Sequence, residues 1–218
     1  MSGLIYILNY IDILGPLIAL LFFLVRRDKL PPELKLVQLF CWVQLACNLY
    51  ASILDIADKN NYWVYEINAL LSIGIALILF GKYLLDLKKG IIITLVSLLI
   101  ICNLFSYRYF GGLSTFNSYG HALCSLVIVL LSLYFFYSKL INMPEEVSIP
   151  DTSIFWCVVG IFTYYAGAFF IFISYKYLLT TDSSNISILW RFHNVLLFIC
   201  CAYISYGVLC KNYRTILS

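Results

Sequence analysis

Charge is what this sequence has least of. Asp, Glu, Lys and Arg make up 11% of the 218 residues, hydrophobic residues make up 63%, and the mean hydropathy is +0.94. A soluble domain of this length cannot bury so much apolar surface, so a water-exposed globular fold is excluded. No glycine-rich phosphate-cradling loop of the P-loop type occurs, and with it go nucleotide-driven motors. The eight cysteines, at 41, 47, 102, 124, 157, 200, 201 and 210, contain no CxxC pair. Zinc-ribbon and dithiol chemistry therefore lack support, and the thiols read as small buried side chains. No basic run exceeds two consecutive residues, so the net charge of +3 does not point to nucleic acid as a partner. There is no low-complexity segment and no repeat at the level of residues.

What the chain has is apolar sequence in blocks of membrane-crossing length, roughly 17 to 25 helical residues. Seven such blocks run over 4–25, 36–56, 63–85, 90–106, 116–138, 153–177 and 188–210. The expectation is an all-α integral membrane protein, a seven-transmembrane-helix bundle forming a single polytopic membrane domain over 1–218 with no soluble domain. MSGLIYILNY carries no basic leader region, so the first block reads as a retained helix rather than a cleaved signal. The connectors, such as RRDKLPPELK at 26–35 and KLINMPEEVSIPDT at 139–152, are short. With the N-terminus outside, the cytoplasmic segments hold Arg26, Arg27, Lys29, Lys35, Lys82, Lys88, Lys89, Lys139, Lys211 and Arg214. Lys59, Arg108, Lys176 and Arg191 are left for the other side. That asymmetry predicts N-outside and C-cytoplasmic, in a plasma or inner membrane.

Polar residues inside such spans are costly and face the bundle interior or a wet cavity. In the second block Cys41, Gln44, Asn48, Ser52 and Asp55 recur at steps of three or four, which places them on one helical face. Asn9, Asp12 and Pro16 share a face of the first block; Tyr65, Asn68 and Ser72 of the third; Ser118, His121, Ser125 and Ser132 of the fifth. Gly160, Thr163, Gly167 and Ser174 form a small-residue stripe on the sixth, a pattern that lets helices approach closely. The fourth block, IIITLVSLLIICNLF, carries only weak polar groups and reads as lipid-facing. Asp12 lies about eight residues, or roughly 12 Å, into its span, too deep for its short side chain to snorkel. Arg191 sits near a helix start and can either pair inside the bundle or snorkel to the interface.

Under the N-outside topology nearly all the strongly polar groups lie towards the outer side. The expected feature is an outward-facing polar cavity with Asp12, Asn48, Asp55, Glu66, Asn68, His121, Arg191, His193 and Asn194 as ligand-binding residues. In that cavity Asp12, Asp55 or Glu66 would neutralise Arg191. Such an architecture suits a receptor-like sensory or ligand-binding module, taking a small molecule, lipid or proton from outside and signalling through a cytoplasmic partner protein. A small-solute or ion transporter or channel is the alternative, although the inner half offers few polar groups to continue a path. A third class is an intramembrane hydrolase using a metal or a His/Asp pair. A fourth is a haem b protein with His121 and His193 as axial ligands. Retinal proteins are similar in helix count, but the last span has no lysine before Lys211, which argues against retinal. Seven-helix hydrolases with a three-histidine metal site are similar in helix count too, and this chain has only two histidines.

Overall fold

The computed structural model describes residues 2–26, 29–111, 115–142, 152–181 and 186–210. The acidic segment PEEVSIPD at 144–151, Arg27, Lys211 and Arg214 lie outside them. Seven helices are long and apolar enough to cross a membrane, and there is no strand among the described residues. They are α1 (Ser2–Val25), α2 (Pro32–Ile56), α3 (Tyr62–Ile78), α4 (Lys89–Ser106), α5 (Ser118–Asn142), α6 (Ser153–Thr181) and α7 (Ile186–Leu209). Each coincides with one of the seven apolar blocks, and α2, α5 and α6 extend beyond theirs by a turn.

Local chemistry sets the helix ends. Pro31 and Pro32 open α2, where proline's fixed φ suits the first turn and its missing N–H has no partner to lose, and Glu33 follows at the positive end of the helix dipole. At the other end Asp58 adopts φ 52°, the N–H of Lys59 donates to the Leu54 carbonyl at 2.9 Å, and that of Asp58 donates to the Asp55 carbonyl at 3.0 Å. This pair of bonds closes the helix in a Schellman turn with aspartate in the position glycine usually takes. α3 continues as a wider i to i+5 turn over Leu79–Leu84 before the chain reverses at Asp86.

The helices close into a ring in which α1 packs on α2 and α7, α2 on α3, α3 on α5, α5 on α6 and α6 on α7; α4 rests outside against α3 and α5. α4 is the least buried of the seven, as its sequence predicts. The small-residue stripe of α6 accounts for the tight α6–α7 seam. A Cβ on Gly160 would lie 2.7 Å from the Cys200 carbonyl oxygen, and one on Gly207 of α7 would lie 2.6 Å from that of Ser153. Only hydrogen at those positions lets the two backbones meet.

The two ends of the ring differ. The end where α1 finishes and α2 begins is filled by Leu34, Val37, Leu77, Phe80, Phe135 and Val158, all fully buried. The opposite end, where α3, α5 and α7 begin, holds the buried side-chain amides, Asp12 and the two histidines.

Candidate functional site

Three polar clusters meet at that second end. The first joins α2 to α3. Gln44 Nε2 donates to Asn68 Oδ1 at 3.1 Å and to Ser72 Oγ at 2.9 Å, Asn68 Nδ2 returns a bond to Gln44 Oε1 at 3.1 Å, and Ser72 Oγ donates to Asn68 Oδ1 at 3.2 Å. Both amides are thus paired head to tail inside the bundle, as buried polar groups require.

The second cluster centres on Asn117, 1% exposed. Its Oδ1 accepts from the Gly120 N–H at 3.2 Å, the geometry of a helix cap three residues ahead, and from Ser106 Oγ at 2.6 Å. Its Nδ2 donates to Asn103 Oδ1 at 3.0 Å and to Glu66 Oε2 at 3.4 Å. The other oxygen of Glu66 lies 3.2 Å from His121 Nε2, the one ion pair among the described residues. Glu66 of α3, His121 and Asn117 at the head of α5, and Asn103 and Ser106 of α4 therefore form one connected unit. Gly120 makes room for it, since a Cβ there would lie 2.5 Å from Asn117 Nδ2.

The third cluster lies on α6 and α7. Tyr164 Oη and His193 Nε2 are 2.9 Å apart. Above them Phe116 is surrounded by rings: His121 at 4.6 Å between centroids, Trp190 at 5.1 Å, Tyr175 at 5.2 Å, Phe172 at 5.6 Å and Tyr65 at 6.3 Å. Tyr65 stacks on Trp190 at 5.6 Å. Such offset and edge-to-face contacts are favourable beyond area burial, so Phe116 is a well-seated plug.

Beneath the plug the clusters enclose a chamber of about 40 Å³ lined by Gln44, Asn48, Asn68, Ser72, Ser125, Tyr164, Tyr165, His121 and His193, with Phe116, Phe172 and Trp190 above. At roughly 10–15 Å³ for each water, it holds a few waters or one small ion. A drug-sized ligand needs about 300–1,000 Å³.

The expected site residues separate accordingly. Asn48, Asn68, His121 and His193 line the chamber, and Glu66 sits behind His121. Asp12 is buried at 9% exposure just outside it, its main-chain carbonyl accepting from Asn48 Nδ2 at 3.4 Å. Arg191 and Asn194 tie α7 to α1 instead: Arg191 Nε donates to Asn9 Oδ1 at 3.2 Å, and Asn194 Nδ2 reaches the Leu8 and Asn9 carbonyls at 3.3 Å. Asp55 is exposed at the end of α2, apart from the chamber, because the buried stripe of α2 runs through Cys41, Gln44, Asn48 and Ala51 and stops short of it. No carboxylate lies within ion-pair distance of Arg191 among the described residues, where Glu66 is taken by His121.

Haem does not fit between the histidines. Each Nε2 is engaged by a protein group, Phe172 packs against both rings at 5.2 and 5.4 Å, and the space between is water-sized. Among the described residues no group of three or more His, Cys, Asp or Glu side chains could hold a metal ion.

Asn117 and Phe116 were not among the expected residues. Asn117 was visible in principle as a helix cap, in the run NSYG that opens α5. Phe116 had no signal, being one of sixteen phenylalanines. No family model, curated protein or solved structure matches this chain.

Proposed function

We propose that the protein is a receptor-like sensory module of the membrane, in which a small polar species or a proton reaching the chamber resets the Glu66–His121 contact and a partner protein reads the resulting helix shift. The observation that carries this reading is the Glu66–His121 pair itself. It is ionisable and only partly buried, with His121 in the chamber wall and Glu66 behind it, and it links α3 to α5 and through Asn117 to α4. A change of charge or of hydrogen-bond partner at one member alters the contact between helices, as sensory switches require. The size of the chamber supports a proton, water-like solute or small ion as the input over a lipid. The basic residues favour the N-terminus outside, which would turn the plugged end outward and leave the opposite end to the partner, in a plasma or inner membrane.

Transport is the second reading, and the packed apolar end stands against an open path in this conformation. The test is thermal unfolding of the protein in nanodiscs across pH and a panel of small polar solutes and ions, beside Glu66→Gln and His121→Gln. A shift in Tm that either substitution abolishes supports the sensory site. Solute uptake into proteoliposomes with no such shift would replace it with transport.

A further inference from the structure

We propose that Asp12 is the centre of a second site, between α1, α2 and α7, that binds one positive charge, either a proton or an alkali cation. It does not depend on the Glu66–His121 reading. Asp12 is 9% exposed, and its Oδ1 is buried with no hydrogen-bond partner among the described residues. An unneutralised carboxylate inside a membrane bundle is among the costliest groups a protein can hold, and it is met by a paired cation or by protonation.

Among the described residues no side chain supplies that charge. α1 packs against α7 and α2. From α7, Arg191 is engaged with Asn9, one turn away, and is beyond ion-pair distance of Asp12. From α2, Asn48 bonds the Asp12 main chain rather than its carboxyl, and Asp55 is exposed two turns further along. The remaining titratable groups on this side are His193 of α7, Tyr65 of α3 and Tyr164 of α6, none of which is a permanent cation.

His193 provides the second observation. It is 8% exposed, its Nε2 faces Tyr164, and its Nδ1 is the other buried ring or carboxyl atom without a partner among the described residues. The register of α1 against α7 places it at the depth of Asp12. Asn9 meets Arg191 and Asn194, while a Cβ on Gly15 would touch Phe198 and Cys201. The two helices therefore run parallel, and Asp12 falls between those contacts, within a turn of His193. In the tautomer whose Nε2–H donates to Tyr164, Nδ1 presents a lone pair. A buried carboxylate and an imidazole lone pair at one level are both acceptors, and a hydrated cation or a shared proton complements both. The chamber, which Asn48 and His193 also line, supplies the water. A divalent metal has too few ligands here, since no three metal-binding side chains converge among the described residues.

The test is the Tm of the full chain in nanodiscs, measured as sodium replaces choline at constant ionic strength and, separately, as pH is lowered. The wild type is expected to gain several degrees with sodium if the site takes an alkali ion, or with acid alone if it takes a proton. Asp12→Asn is expected to flatten whichever response occurs, while Glu66→Gln leaves it in place. A wild-type Tm indifferent to both ions overturns the proposal. So does a response kept by Asp12→Asn and abolished by Glu66→Gln, which assigns it to the chamber pair instead. Should Asp12→Asn not fold, difference infrared spectra of wild type labelled at aspartate decide. A protonated carboxyl band lost on adding sodium or on raising pH supports the site, and its absence under every condition, with no carboxylate shift on adding sodium, rejects it.

Discussion

The two ends of the bundle are built by different means. At the end that holds Leu34, Val37, Phe80, Phe135 and Val158, helices meet through close-packed apolar side chains and through glycines that let backbones touch. At the opposite end they meet through Gln44–Asn68, Asn117–Asn103, Glu66–His121 and Tyr164–His193 around a space for a few waters. In a bilayer the lipid is as apolar as the core, so packing holds the first end, and each interhelical hydrogen bond at the second adds only about 0.6–2 kcal/mol. Packed contacts have one geometry, whereas hydrogen bonds exchange partners with water. The first end is a close-packed floor, and the second is hydrogen-bonded around a water-sized space.

The largest effect should come from disturbing the floor. Gly207→Leu forces side-chain atoms against the Ser153 carbonyl and the Cys157 thiol, across a seam with no slack. Overpacking of this kind costs about 1–3 kcal/mol and more where backbone is the obstacle. Loss of most of the monodisperse protein after extraction is the expected result. Gly74→Ala, where nothing lies within 4 Å of the added carbon, should extract like wild type. Equal yields from the two variants would show that the seam is not close-packed in the membrane.

Next in size are the amides. Gln44→Leu leaves Asn68 Nδ2 buried without its acceptor, while Ser72 keeps its bond to Asn68 Oδ1, at a cost of about 1–3 kcal/mol. Adding Asn68→Leu removes the orphaned amide and should recover most of that loss in a double-mutant cycle read by unfolding in nanodiscs. Absence of recovery would mean that the pair shapes the chamber beyond its own bonds.

How much of this was legible in the sequence follows the same division. Helix number and placement follow from block length and hydropathy, which a bilayer enforces almost alone. The face of α2 was readable from Gln44 and Asn48 because the helical period is fixed, but not where that face ends. Asp55 continues the period and nevertheless stands exposed, since burial depends on which neighbour reaches that height. Pairing was the least legible. Nothing local assigns Glu66 to His121, or Arg191 to Asn9, because partners on other helices are chosen by packing angles that the sequence does not display.

The fixed end has one polar device of its own. Arg26 Nη1 donates to the Val208 carbonyl at 3.0 Å and to Ser153 Oγ at 3.4 Å, while Ser153 Oγ donates to the Cys210 carbonyl at 2.9 Å. A guanidinium here satisfies carbonyls that the end of α7 leaves unpaired and complements its dipole. Arg26→Met keeps the stem and removes the donors, and should lower stability by about 1 kcal/mol while leaving the dependence of Tm on ions and pH as it is in the wild type. A changed response would mean that the two ends are coupled.

The smallest effects are expected on α4, where the contrast is drawn within one helix. Ile101 and Leu104 point away from the ring and are more than half exposed, whereas Leu99 is buried and Leu95 and Val96 pack against the core. On the inner face Asn103 and Ser106 add polar bonds to that packing by reaching the Asn117 hub. Ile101→Ala should therefore change stability in nanodiscs by under about 0.5 kcal/mol, the range of surface substitutions away from special contacts. Asn103→Leu is nearly isosteric and more apolar, yet should cost about 1 kcal/mol, because it deprives Asn117 Nδ2 of an acceptor and loosens Glu66. Should the order reverse, with the leucine variant unaffected and the alanine variant weakened, α4 would be held by an apolar neighbour on its outer face, and lipid would not be what covers it.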